Sequence, residues 1–266
     1  MQDPRRRRPQ QPKENMIYGV HPVIESLEAG KEIERIFIQR EKGASVREIL
    51  DLAEKQMVPV QKVPAAKLDG MTRANHQGVV AFVSPIEYQP IEQILMGAYE
   101  RAEIPFLIML DRVTDVRNLG AIARSAECAG VHGLIVPSRG SAQINADAVK
   151  TSAGALNNLP VYRSPNLKDT LRYLKDSGLA ITAVTEHGST DYTAADLTGP
   201  QVLMLGSEED GISPEYLKFA DARLRIPLFG VTGSLNVSVA AGIMLFEVVR
   251  QRSALNLKEK KHKSTK

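Results

Sequence analysis

The chain has 266 residues, 43% of them hydrophobic and 24% charged, with a formal net charge of +3 at pH 7; this is enough apolar content for one large domain or two ordinary ones and excludes a chain disordered throughout. Its single cysteine, Cys128, excludes an intrachain disulfide, and without a CxxC or a spaced histidine pair no metal site is expected. No apolar stretch approaches the roughly 20 residues of a bilayer span, and no apolar core follows the initial arginine run, so a soluble cytoplasmic protein with no membrane segment is expected.

Residues 1–14 (MQDPRRRRPQQPKE) hold five Lys or Arg against two acids, and residues 255–266 (LNLKEKKHKSTK) hold five Lys against one. Both lack the apolar side chains that offset ordering entropy, so both are expected to be disordered basic tails. They carry +7 between them, which leaves the body of the chain at −4. Overall basicity is therefore no sign of a basic groove in the folded part, although the tails can add salt-sensitive attraction to phosphate.

Residues 15–85 read as a compact α/β module. IERIFIQR, PVQKV and QGVVAFVSP are strands by β-branched content and bounding Pro or Gly. Between the first two, Ser45–Met57 places Val46, Ile49, Leu50, Ala53 and Met57 on one stripe of an amphipathic helix. Residues 86–104 are expected to be a linker with a helix after Pro90, in which Ile91, Ile94, Leu95 and Ala98 share a face. A second domain, 105–254, is expected to begin near Pro105. There the apolar runs PFLIML, GLIVP, LPVYR, AITAVT, QVLMLG and ARLRIPL alternate with helical stretches, the pattern of an α/β fold whose mostly parallel sheet is covered on both faces.

In such sheets ligands bind beyond the carboxyl ends of the strands, and three post-strand segments stand out. After PFLIML comes DRVTDVRNLGAIARSAECAG, in which a loop with Asp111, Asp115, Arg117 and Asn118 leads through Gly120 into a helix carrying Arg124. After QVLML, the segment GSEEDGIS brackets three acids between two glycines, and Ser213 and Pro214 suit the cap and first residue of a helix. After ARLRIPL, a loop delivers Ser234, Leu235 and Asn236 to a helix so apolar all round that burial is expected for it, while small residues in its first half permit close approach of another backbone or subunit. Cys128 is expected to be a packing residue.

The ordered set NLGAIARSA, GSEEDGIS and IPLFGVTGSLNVSVAAGI resembles the three motifs of the SpoU (TrmH-like) family of RNA 2′-O-methyltransferases, and IYGVHPVIESL with HQGVVAF resembles that family's N-terminal substrate-binding module, related to the ribosomal L30e fold. The resemblance runs from about Met16 to Arg250, and IYGVHPV is closer to the ribosomal-RNA branch than to the transfer-RNA branch. It implies a C-terminal SPOUT domain threaded through a deep trefoil knot, S-adenosylmethionine bound in the knot, a homodimer, and a ribose 2′-hydroxyl as acceptor, on a guanosine of 23S rRNA as the family-level expectation. Topology rules alone run against a knot.

Carried over onto this chain, the resemblance makes Arg124 an active-site residue given by one subunit to the target ribose or its phosphate, with Asn118 orienting it. An arginine of ordinary basicity is protonated at neutral pH, which favours positioning over a general-base role. Glu208 would shape the substrate side of the cofactor site, and Ser234 and Asn236 would line the transfer site, although either also suits a helix N-cap. Gly206, Ile226 and Leu235 would supply backbone groups to the cofactor, with Thr185 and Glu186 as weaker members of the same pocket. Arg73, Asn75, His76 and Gln77 are candidates to face RNA.

The chain departs from the family pattern at Val116, where proline is frequent, and in the second acid of GSEEDG, where glycine is common. The absence of GxGxxG and GxxxxGK excludes a dinucleotide-binding oxidoreductase and a phosphate-loop enzyme. A non-catalytic RNA-binding assembly factor is disfavoured because Arg124, Glu208, Ser234 and Asn236 are all present. A transfer-RNA 2′-O-methyltransferase of the same family is the alternative enzyme reading.

Overall fold

The structure is a computed structural model that describes residues 15–40 and 46–264, with side chains as far as Leu255. The basic tail at residues 1–14 lies outside the described residues. The chain divides into two compact units, the first ending at Pro85 and the second beginning at Ile86.

The first unit is built from β1 (Met16–Tyr18), α1 (Val20–Glu28), β2 (Ile33–Gln39), α2 (Arg47–Lys55), β3 (Val60–Val63), α3 (Ala65–Met71) and β4 (Val79–Val83). Its sheet runs β1-β4-β2-β3, with β3 parallel to β2 and the other pairs antiparallel. The two-residue strand period sorts the side chains. Ile36, Ile38, Val79 and Ala81 join Val23, Leu27, Ile49 and Ala53 in one cluster, whereas Phe37 and Val80 join Leu68 in another. The α2 stripe is shorter than its sequence pattern. Val46, Ile49 and Ala53 are buried, but Met57 is 54% exposed because the chain has already turned, at φ 54, toward β3.

The second unit contains α4 (Ile91–Glu100), β5 (Phe106–Leu110), α5 (Val116–Cys128), β6 (Gly133–Pro137), α6 (Ala146–Thr151), β7 (Val161–Ser164), α7 (Leu167–Asp176), β8 (Ala180–Val184), β9 (Thr190–Asp191), β10 (Gln201–Leu205), α8 (Pro214–Leu217), β11 (Ala222–Arg225) and α9 (Val237–Ser264). The sheet order is β7-β6-β5-β10-β8-β11-β9 and every pairing is parallel. Its central strands are apolar without interruption because both faces are covered. Phe106, Ile108 and Leu110 pack with residues of α5, α6 and α9, while Leu107 and Met109 pack with residues of α4 and α7.

Residues 86–104 are part of this unit rather than a linker. Tyr88 bridges to Val161, Gln89 N donates to Val161 O at 2.9 Å, and Ile91, Ile94, Leu95 and Ala98 are all buried. The apolar face of the helix was legible, and the domain core is where such a face is stable.

Helix α9 corrects two expectations. It is not buried all round: Val237, Ala241, Met244, Leu245 and Val248 are buried, but Val239 and Phe246 are each 50% exposed. Burying each large member of that stripe contributes about 1.5–3 kcal/mol, so one face suffices to anchor the helix. Its backbone also continues to Ser264, through the stretch from 255 expected to be disordered; Leu and Lys are good helix formers that extend a helix already nucleated by packing. Further along the same layer, Cys128 is exposed because it falls outside the stripe of Leu119, Ile122, Ala123 and Ala126 that α5 buries.

Candidate active site

The strand order reverses between β5 and β10, since β6 and β7 lie to one side and β8, β11 and β9 to the other. A crevice beyond the carboxyl ends is expected at such a switch point. A cleft of about 280 Å³ opens there, lined by residues 112–115 and Asn118 after β5, Gly140 after β6, residues 207–210 after β10, and Val237 of α9.

Each post-strand segment is fixed by its own local chemistry. Asp115 caps α5 by accepting from Arg117 N at 2.7 Å, and Val116 occupies the first helical position. Proline suits that position, so the departure at Val116 leaves the helix start intact. Ser207 and Gly211 exchange two backbone hydrogen bonds, Ser207 N to Gly211 O at 3.1 Å and Gly211 N to Ser207 O at 3.0 Å, closing a turn that presents Glu208. Gly206 just before it has no room for a side chain, because a Cβ there would run into the backbone of Gly211 and Ile212. Ser213 precedes α8 with Pro214 as its first residue, but its hydroxyl makes no cap.

Three polar residues from these segments meet. Asn118 Nδ2 donates to Glu208 Oε1 at 3.1 Å. Asn236 Nδ2 donates to the same oxygen at 2.6 Å and to Asn118 Oδ1 at 3.0 Å. The opposite end of the Asn236 amide is spoken for, since Oδ1 accepts from Ser238 N at 2.9 Å and Ser238 Oγ at 2.5 Å at the start of α9. An acceptor held by a backbone N–H fixes which end of the amide faces the carboxylate. Asn236 is therefore helix cap and site residue at once. Ser234 has no such role and is exposed without a polar partner among the described residues.

The ends of β10, β8 and β11, adjacent in the sheet, form a second cluster of backbone turns. Thr185 N donates to Leu224 O at 2.9 Å, and Thr185 O accepts from Gly188 N at 3.0 Å. A Cβ on Gly188 would press on the backbone of Leu224 and Arg225, so two main chains touch there without side chains between them. Glu186 is exposed and 3.6 Å from His187. Ile226 is half-buried against the core, whereas Leu235 is 37% exposed. Arg124 stands apart from the Asn118–Glu208–Asn236 trio, exposed on α5 and without a polar partner among the described residues.

The model of the SpoU rRNA Methylase family matches residues 105–246, more than half of the chain and all three of these segments. The chain belongs to the SpoU rRNA methylase family. Residues 16–89 match the model described as RNA 2′-O ribose methyltransferase substrate binding. A Staphylococcus saprophyticus protein placed in the TrmH family of tRNA/rRNA methyltransferases is 37% identical over 91% of this chain and 97% of its own length. Among solved structures, the SpoU methyltransferase AviRb from Streptomyces viridochromogenes, in complex with the cofactor AdoMet, is similar with a TM-score of 0.58 and 28% identity over 90% of each chain. An AdoMet-bound rRNA methyltransferase from Sinorhizobium meliloti has a TM-score of 0.55 and 30% identity, covering 89% of this chain and 87% of its own. The expected fold class, an α/β SPOUT-type parallel-sheet domain after a small α/β substrate-binding module, is the one shared with these structures.

Of the four residues expected to face RNA in the SpoU substrate-binding module, Arg73, Asn75 and Gln77 are exposed and His76 is partly buried. His76 and Gln77 also hold the local fold. His76 Nδ1 accepts from Gly78 N and its Nε2 lies 3.0 Å from Asp69 Oδ1, while Gln77, at φ 51, accepts from Val20 N at the start of α1. Sequence reasoning passed over Arg112. It bonds Asp210 Oδ2 at 2.9 Å and Gly211 O at 3.2 Å, partners about a hundred residues away. The available signal was a cation directly after one strand and an acid-rich turn directly after another.

Proposed function

We propose that this SpoU-family protein acts as a homodimer to methylate a ribose 2′-hydroxyl of RNA from S-adenosylmethionine, and that its target is a guanosine of 23S rRNA. The observation that carries the reading is the Asn118–Glu208–Asn236 trio, which gathers one residue from each family motif at the mouth of the switch-point cleft. We assign the cofactor to the neighbourhood of the second cluster, where the Thr185, Gly188 and Gly206 turns bring main chains together without side chains between them and Ile226 and Leu235 lie close by in sequence as apolar candidates for its walls. We read the passage of residues 206–236 through this region as the trefoil knot that the resemblance implies.

S-adenosylmethionine supplies a methyl group already activated on a sulfonium, so the protein's task is to position a hydroxyl and remove one proton. Glu208 Oε1 takes both amides, and Oε2 remains to accept a hydrogen bond from the ribose. Arg124 reaches the target phosphate or ribose from the second subunit, which accounts for its exposure in a single chain. The half-exposed Val239 and Phe246 on α9 are the apolar face that a second copy covers.

The ribosomal assignment is supported by the IYGVHPV start and by the likeness to the S. meliloti rRNA methyltransferase. Labelled S-adenosylmethionine, 23S rRNA fragments and transfer RNA, followed by mapping of ribose methylation, tests it. Label at one 23S guanosine is expected. Transfer RNA as the methylated species overturns the ribosomal target, and no donor binding at all overturns the enzyme.

A further inference from the structure

Arg112 sits at φ 56, in the left-handed region where a long side chain is strained. A residue needed only to turn the chain after β5 is best served by glycine or asparagine, so the side chain has to account for the arginine. Its guanidinium spans three acceptors: Nη1 donates to Asp210 Oδ2 at 2.9 Å, Nη2 to Gly211 O at 3.2 Å, and Nε to Asp111 Oδ1 at 3.4 Å. Asp111, itself 2% exposed, uses its other oxygen to accept from Ser213 N at 2.7 Å. Residues 111 and 112 thus grip the far end of the turn whose near end carries Glu208. An exposed ion pair adds little to folding stability, and both Arg112 and Asp210 are more than a third exposed. The clamp is better explained by what it holds in place. Among the described residues Arg112 is also the only cation lining a cleft whose other charged walls are Asp115, Glu208, Glu209 and Asp210, and it opposes the mutual repulsion of these acids.

We infer that Arg112 is a positioning residue for the proposed methyl transfer: by clamping Asp210 and Gly211 it fixes the 207–211 turn, and so sets where Glu208 meets Asn118 and Asn236. This inference rests on the activity proposed above. Arg112→Asn keeps a residue tolerant of positive φ while removing the reach to Asp210, so the backbone is spared and the clamp is lost. Its kcat is expected to fall about tenfold, with the dissociation constant for S-adenosylmethionine within about twofold of the parent and the thermal midpoint within about 2 °C. Arg112→Lys restores the charge but not the planar fork and is expected to recover about a third of the lost rate. A readout independent of turnover is the pair of side-chain amide resonances of Asn118 and Asn236, expected to shift in Arg112→Asn. Unchanged kcat and unmoved amides overturn the inference, as does a rate loss matched by an equal loss of thermal stability. An inactive parent protein with amides that still shift faults the proposed function and leaves the clamp standing.

Discussion

Asn118, Glu208 and Asn236 bond to one another inside a single chain, whereas Arg124 and Ser234, which belong to two of the same motifs, stand exposed with no polar partner among the described residues. The first group is organised before any ligand arrives, and its members hold geometry already paid for by folding. The second group makes no polar contact among the described residues, and the proposed function assigns its partners to the ligand and a second subunit. Leu235, 37% exposed, lies on the side of that boundary where the cofactor is proposed, and Arg124, on the helix that packs against α9, on the side where the second subunit is proposed.

The largest effect should come from the incomplete group. Arg124→Ala is expected to lower kcat on the order of 10²–10³-fold while S-adenosylmethionine affinity, measured by calorimetry, stays within about twofold; normal turnover would remove Arg124 from the site. In the pre-bonded group, Glu208→Ala strips both amides of their shared acceptor and is expected to cost about 10–100-fold in kcat. Because Asn236 still caps α9, the thermal midpoint of that variant should stay close to the parent's. If the two losses were reversed in size, the trio would be the chemical centre and Arg124 an accessory.

The proposed subunit contact can be broken separately. Phe246→Glu places a charge in the half-exposed apolar face of α9 without touching its buried stripe of Met244, Leu245 and Val248. A shift from dimer to monomer in sedimentation is expected, together with activity reduced to the level of Arg124→Ala. A monomer with full activity would mean that each chain completes its own site.

Strands and motif loops were legible because they carry strong local patterns. Uninterrupted apolar runs such as FLIML and QVLML announce a sheet buried on both faces, and GSEEDGIS after one of them announces a site. What stayed hidden depended on distant partners. The face of Ile91, Ile94, Leu95 and Ala98 was visible, but nothing local says that it lands on the domain core and makes residues 86–104 part of the second unit. The local roles of His76 and Gln77 at Gly78, Asp69 and Val20 were hidden because they follow from turn geometry. The partial exposure of Val239 and Phe246 was hidden for a different reason: helical periodicity reports an apolar surface without saying whether the same chain or a second copy covers it.

The smallest expected effect tests the middle of α9, where Glu247, Arg250 and Gln251 bond within the one chain. There Glu247, 7% exposed, accepts from Arg250 Nε and Nη2 at 2.7 Å each and from Gln251 Nε2 at 2.8 Å. The Arg250 bonds hold the Glu247 carboxyl below its ordinary value of 4.5, burial opposes them, and the Gln251 bond adds to the lowering. A carboxyl more acidic in the folded chain than in the unfolded one stabilises the fold at pH values above 4.5, and that contribution is lost as pH falls through the folded value. Glu247→Gln is therefore expected to cost about 1–2 kcal/mol at neutral pH, with the gap to the parent closing in more acid solution. Chemical denaturation at pH 7 and in the acid range below 4.5 measures both limbs. The proposed dimer is expected to persist at neutral pH in this variant, since the half-exposed face around Phe246 is untouched. A gap that widened with acid would mean that Glu247 is held protonated in the fold, and dissociation at pH 7 would mean that this part of the helix, too, depends on a second copy.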